Sequence, residues 1–90
     1  MARPRKMDHL IQHGMDDEVL VYDPVVDRTH RLNVSAARIW ELCDGTRSLE
    51  DIARVLTEQF EVEFETALQD ARTVLEQLME EQLLTGIPAA

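Results

Sequence analysis

The sequence predicts an α+β domain in which short strands come first and three helices follow. Runs of β-branched and aromatic residues between turn residues fill the stretch before Asn33, which favours strands. After Asn33 the apolar residues recur at helical spacing. Ninety residues make one small domain. Because a chain of this size buries only about 60–65% of its unfolded surface, we expect no deep active-site cavity beside the core.

The strand signals begin with the run EVLVY over residues 18–22, which Asp23-Pro24 interrupts. A turn around Asp27-Arg28 leads into a second short strand over residues 29–32. The two strands form a predicted hairpin with a loop of several residues. Residues 8–13 favour a further strand, which ends before a turn over residues 14–17.

The first two helices carry their own start and stop signals. Asn33 or Ser35 can cap the first helix, because either side chain accepts from free backbone N–H groups. Asp44-Gly45 ends that helix, with glycine suited to a left-handed residue. The second helix starts at Ser48 with an acidic residue three positions later. The predicted core faces of the two helices are Ala36, Ile39, Trp40 and Cys43, and Leu49, Ile52, Ala53, Leu56 and Phe60.

The third helix is predicted over residues 63–82 and has two adjacent apolar stripes. At 100° per residue the stripes jointly span an arc of about 140°, more than one partner helix requires. Either stripe could face the bundle, leaving the other for the hairpin or for a further partner. One stripe is Phe64, Leu68, Leu75 and Met79, and the other is Ala67, Ala71, Val74 and Leu78.

The formal charge of −9 is unevenly distributed along the chain. Residues 7–90 hold six basic and 18 acidic side chains, a net charge of −12, and Lys6 is the only lysine. Nucleic acids and acidic membranes bind through lysine and arginine, so both are excluded as partners.

We expect a disordered basic tail over residues 1–7, a domain over residues 8–84 and a frayed end over residues 85–90. No apolar stretch predicts a signal peptide or a membrane span, so a cytoplasmic protein is expected.

No residue pattern predicts catalysis, a metal or a cofactor. His9 and His13 are four residues apart, but they lie in a predicted strand or loop and lack an obvious third ligand. Cys43 falls on an apolar helix face, which indicates a buried structural thiol rather than a nucleophile. Three glycines form no phosphate-binding loop. The chain is therefore predicted not to be an enzyme.

A hairpin followed by three helices has the outline of a winged-helix domain. DNA-binding versions insert a basic helix into the major groove. The third helix here carries Arg72 as its only basic residue and six acidic ones. An acidic winged-helix module that binds another protein is therefore one interpretation of the chain.

A combined motif supports a second interpretation. The segment LVYDPVVDRTHRLNVSAARIWELCDGTRSLEDIARVL resembles the PqqD-like family, and the similarity extends over residues 8–84. The residues that match the family pattern are Leu32-Asn33, Ala36, Ala37, Ile39-Trp40, Leu42, Asp44-Gly45, Ser48-Leu49 and Ile52. The resemblance implies a three-stranded antiparallel sheet on a three-helix bundle. It also implies a recognition element for ribosomally made, modified peptides, which binds a precursor's leader and presents it to a modifying enzyme acting in trans.

The resemblance implies that the leader adds as a strand beside the last strand of the sheet, over the third helix. Extended peptides bind in this way because an edge strand has unpaired N–H and C=O groups. The predicted site has no catalytic or metal-binding residue and consists of Arg28, Thr29, His30, Arg31, Leu32, Ala67, Ala71, Arg72, Val74, Leu75 and Leu78. The predicted partners are a precursor leader peptide and a radical-SAM maturase or leader peptidase, and the chain itself is a monomer or an edge-paired dimer.

The chain departs from the family pattern at two positions. Members often carry an aromatic residue before the Leu-Asn pair, where this chain has His30-Arg31. They often end the last helix with Gly-Leu, where this chain has Gln82-Leu83. These positions bear on which leader the protein selects.

The charge distribution generates a simple test against DNA binding. We expect no retardation of duplex DNA in a gel-shift assay at low salt, where phosphate attraction is strongest. Tight binding under these conditions would overturn the exclusion of nucleic acid and favour a winged-helix regulator.

Overall fold

The computed structural model describes residues 3–86 and confirms the α+β prediction. A three-stranded antiparallel sheet precedes three helices, and a separate two-stranded sheet joins the two ends of the described chain. The elements in chain order are β1 (Arg5–Lys6), β2 (Ile11–Met15), β3 (Glu18–Asp23), β4 (Arg28–Leu32), α1 (Val34–Glu41), α2 (Leu49–Gln59), α3 (Phe64–Glu80) and β5 (Leu84–Thr85).

The main sheet has the order β2-β3-β4, so that β3 is central and the other two strands are edges. Val21 lies opposite Gln12 on one side and His30 on the other. Strand β3 alternates strictly, with Val19, Val21 and Asp23 buried against the helices. The predicted hairpin is confirmed. The predicted first strand is confirmed with shifted bounds, Ile11–Met15 instead of residues 8–13, because pairing with β3 continues to the turn.

The joint between β4 and α1 consists of Asn33 alone. Its side-chain Oδ1 accepts a hydrogen bond from the Ala36 N–H at 2.9 Å, and its backbone carbonyl accepts one from Ala37 at 2.7 Å. Asn33 is therefore the N-cap, and Ser35 lies inside the helix. The predicted stop at Asp44-Gly45 was wrong, since α1 ends at Glu41. Gly45 does have a positive φ of 86°, and its N–H donates to the Pro4 carbonyl at 3.0 Å.

Helix α2 begins with the capping box that the sequence predicts. The Ser48 hydroxyl accepts from the Asp51 N–H at 3.2 Å, and the Asp51 carboxylate accepts from the Ser48 N–H at 3.1 Å. Hydrogen bonding of the Asp51 carboxyl with the Ser48 backbone N–H, and then with the Ser48 side chain, lowers the pKa of that carboxyl. The helix ends at Gln59, and Phe60 is extended and 42% exposed. Phe60 therefore does not belong to the buried face assigned to it.

Helix α3 buries one line of residues that is drawn from both predicted stripes. The buried side chains are spaced four, four and three residues apart, as one helix face requires. Leu68 and Val74 flank this line and are half-buried, whereas Phe64 is exposed. The buried line is Ala67, Ala71, Leu75 and Leu78.

The two ends of the described chain form a clasp, which differs from the expected disordered tail. Strand β1 pairs with β5, so that Arg5 lies opposite Thr85. The Met7 N–H donates to the Leu83 carbonyl at 3.1 Å, and the Lys6 ammonium lies 5.4 Å from the Trp40 ring centroid. The parts of the predicted tail and frayed end at residues 1–2 and 87–90 lie outside the described residues.

The core lies between β3 and the three helices, with Trp40 as its largest fully buried side chain. The Trp40 indole N–H donates to Gln12 of β2 at 2.9 Å. Cys43 is fully buried, as predicted, and its thiol donates to the Ile39 carbonyl at 3.1 Å. Burial raises the pKa of this thiol to about 12, so it stays protonated at neutral pH. Within residues 3–86, no helix is long and apolar enough to cross a bilayer.

The Asn33 cap generates a stability prediction. Asn33→Ala removes the side-chain acceptor at the start of α1 and should lower the free energy of unfolding by about 1 kcal/mol. Asn33→Asp and Asn33→Ser keep an acceptor and serve as controls, with losses of less than half that value. Urea unfolding followed by Trp40 fluorescence measures all three. Equal stability of the alanine and aspartate variants would contradict the role of the cap.

Candidate functional site

A groove of about 310 Å³ lies between the edge strand β4 and helix α3. It extends from the start of α1 to the C-terminal end of α3. Strand β4 supplies one wall, and α3 supplies the opposite wall. The residues that line the groove are Thr29, His30, Arg31, Leu32, Asn33, Ala36, Val74, Gln77, Leu78 and Glu81.

The wall formed by β4 has an open edge. Strand β4 is the last strand of its sheet, and within the described residues it pairs only with β3. In an antiparallel pair, alternate residues direct their N–H and C=O groups away from the partner strand. No backbone group elsewhere in residues 3–86 bonds to this outer row. The row can therefore accept another extended segment.

The groove has an apolar part and a polar end. Leu32 and Leu78 are 5% and 2% exposed and form the deepest apolar surface, with half-buried Val74 beside them. At the other end, the His30 Nδ1 atom lies 2.9 Å from the Glu81 Oε2 atom, and this contact joins β4 to the end of α3. A bound strand would thus meet apolar surface first and a carboxylate farther along.

Arg31 lines the groove, but Glu18 of β3 holds its guanidinium. Arg31 donates two hydrogen bonds to the Glu18 carboxylate, at 2.8 and 2.9 Å. The bond from Arg31 lowers the pKa of Glu18, and the same bond raises the pKa of Arg31. Arg31 therefore contacts Glu18, whereas Glu81 contacts His30.

The structure brings together six of the predicted site residues and separates the others. Arg28 lies on β4 next to the groove but does not line it. Ala71 and Leu75 are buried in the core. Ala67 lines a different cavity, and Arg72 lies in a surface depression on another face of α3. The six that line the groove are Thr29, His30, Arg31, Leu32, Val74 and Leu78.

Four lining residues were missed by the sequence prediction, namely Asn33, Ala36, Gln77 and Glu81. Gln77 and Glu81 follow Val74 at positions i+3 and i+7, the spacing of one helix face. That spacing could have identified them. Both side chains are polar or acidic, whereas the sequence predicted apolar and basic residues for the groove wall formed by α3.

A second cavity of about 180 Å³ lies among residues of the three helices and of the α2–α3 connection. Its lining is mostly apolar and includes Ile39, Leu56 and Phe60. No strand edge borders it, so it lacks the backbone groups that make the first groove suited to an extended ligand.

The histidines near the start of the chain do not form a metal site in the described residues. His9 Nε2 lies 3.2 Å from the buried carboxylate of Asp23. Although burial acts to raise the pKa of Asp23, hydrogen bonds from the Val25 N–H and from His9 lower it overall. Within residues 3–86, no group of three or more His, Cys, Asp or Glu side chains could hold a metal ion.

The fold and the groove define a small α+β domain with an open sheet edge above a helix. The profile of the family described as Coenzyme PQQ synthesis protein D (PqqD) matches residues 18–84. The chain belongs to this family, as the sequence motif predicted. A search of curated protein sequences found no match.

Two solved structures are similar to this chain over most of its length. One is TbiB1 in complex with the TbiA(beta) leader peptide, which is 25% identical with a TM-score of 0.85 and covers 94% of this chain and 99% of its own. The other is lasso peptide synthetase B1 complexed with the leader peptide. It is 25% identical to this chain with a TM-score of 0.82, and the match covers 93% of this chain and 99% of the synthetase chain. Both neighbours therefore match over almost their whole length.

Burial distinguishes Val74 of the groove from its core neighbour Leu75 in a testable way. Leu75→Ala removes a buried side chain and should cost about 2–5 kcal/mol of unfolding free energy. Val74→Ala truncates a half-buried side chain and should cost less than about 1 kcal/mol. Urea unfolding of the two variants measures the difference. Similar losses would mean that Val74 belongs to the core and that the groove is not an open surface.

Proposed function

We propose that this protein binds the leader segment of a ribosomally made precursor peptide and presents it to a separate modifying enzyme. The single observation that carries the proposal is the open edge of β4 above the α3 groove. The two structural neighbours, which are each solved with a leader peptide, support the same interpretation.

Strand addition at β4 accounts for affinity and selectivity separately. Backbone groups of any extended peptide can pair with the outer row of β4, which gives affinity with little dependence on sequence. Side chains of the peptide that point toward α3 then meet the apolar surface of Val74 and Leu78. The five residues of β4 span about 17 Å, enough for a short strand of the leader.

The edge is ordered before the leader arrives. Asn33 fixes the end of β4 to the start of α1, and the Arg31–Glu18 pair joins β4 to β3. A strand held in this way loses little conformational entropy on binding, which favours affinity. Ala71 and Leu75 contribute indirectly, because they pack α3 into the bundle at the correct distance from β4.

The protein acts as a binding partner rather than as a catalyst in this proposal. Its partner enzyme is a radical-SAM maturase or a leader peptidase that acts in trans in the cytoplasm. The neighbour described as a lasso peptide synthetase B1 supports a lasso-peptide setting. The free protein is a monomer or an edge-paired dimer, since β4 could pair with a second copy in the absence of leader.

A leader titration tests the proposed function. The probe is a synthetic leader of the precursor peptide encoded beside this gene, added to isotope-labelled protein and followed by amide NMR. We expect shifts concentrated at β4 and at Val74, Gln77 and Leu78. No shift with this leader would overturn the proposal.

A matched pair of variants locates the binding surface. Val74→Lys places a charge in the groove and should weaken leader binding at least about tenfold, because a buried charge is costly. Gln69→Lys adds the same charge to an exposed position of α3 outside the groove and should bind normally. Isothermal titration calorimetry measures both. Equal affinities would show that the leader binds elsewhere.

A further inference from the structure

We propose that the polar end of the groove selects a leader with a basic side chain, which the carboxylate of Glu81 binds. This inference rests on the proposed function and specifies the chemistry of its ligand. It follows from the position of Glu81 at the end of α3, its contact with His30 and the charges around it.

Glu81 presents a carboxylate that is only partly engaged. Its Oε2 atom lies 2.9 Å from His30, and the side chain is 32% exposed, whereas His30 is 13% exposed. The Oε1 atom has no hydrogen-bond partner among residues 3–86. The carboxylate is thus held at the groove wall with one oxygen able to accept from a ligand.

The surroundings favour a cation at this position. Glu81 is the C-cap of α3 and therefore lies at the negative end of the helix dipole. Residues 7–90 carry a net charge of −12. Arg31, the arginine that lines the groove, is already bound to Glu18. A lysine or arginine from the ligand would therefore reach the Glu81 carboxylate beside the imidazole of His30, while Arg31 is paired with Glu18.

The register of β4 places the basic residue relative to an apolar one. Side chains on one face of a strand repeat every two residues, about 6.6–6.8 Å apart. Leu32 is buried at the apolar part of the groove, and His30, two residues earlier, is at the polar end. A strand paired with β4 presents two residues of the same spacing to the same face. The selected leader therefore has an apolar residue and a basic residue two positions apart.

The test combines substitutions in the protein and in the leader encoded beside this gene. Each lysine or arginine of the leader is replaced in turn by norleucine, and the Kd is measured for wild type, Glu81→Gln and the control Glu80→Gln. We expect one basic residue whose replacement weakens binding to wild type about tenfold. The same replacement should change binding to Glu81→Gln less than about twofold, and Glu80→Gln should behave as wild type.

A charge reversal gives a second measurement that does not depend on loss of binding alone. Glu81→Lys should bind the natural leader poorly and should regain affinity for a leader in which the selected basic residue is replaced by glutamate. Leader binding that no basic residue affects, or that Glu81→Gln leaves unchanged, would overturn this inference while the proposed function stands. A leader that does not bind wild type at all would overturn the proposed function itself.

Discussion

The architecture depends on the connection between β4 and α1, where one residue separates a strand from a helix. Asn33 terminates the strand and caps the helix through its own side chain, so the two elements cannot move independently. The edge of β4 is consequently held at a fixed angle to the helices. An open strand edge that is mobile can cause aggregation, because its unpaired backbone groups pair non-selectively with other chains. Held rigidly over α3, it becomes a selective surface.

In the proposed function, helix α3 divides its faces between stability and recognition. Ala67, Ala71 and Leu75 are buried in the core, and the small size of the two alanines lets the helix approach the bundle closely. The adjacent face then lies opposite β4 at a separation that leaves a groove. A larger residue at either alanine would push the helix outward and change the width of that groove. Packing in the core thus sets the geometry of the surface that binds.

The clasp between the chain ends also acts on the groove. After α3 the chain reverses at Gln82, whose φ is 62°, and the Leu83 N–H donates to the Leu78 carbonyl at 2.9 Å. Leu83 and Leu84 are buried, and β5 pairs with β1. Glu81 therefore lies between the end of α3 and a buried, paired segment. This position orders the carboxylate that we propose as the binding group for a basic leader residue.

The sequence by itself determined the order of the three-stranded sheet and the three helices, a cap at Asn33 or Ser35, the Ser48 cap, the burial of Trp40 and Cys43, and the family. These features depend on residues close together in the chain, where capping and periodicity act. The tertiary structure alone decided which residues of α3 face the groove, since two stripes of similar apolarity can be resolved only by what packs against them. It also decided the pairing of β1 with β5 and the contact of His30 with Glu81. Those contacts join residues far apart in the chain, and no local pattern encodes them.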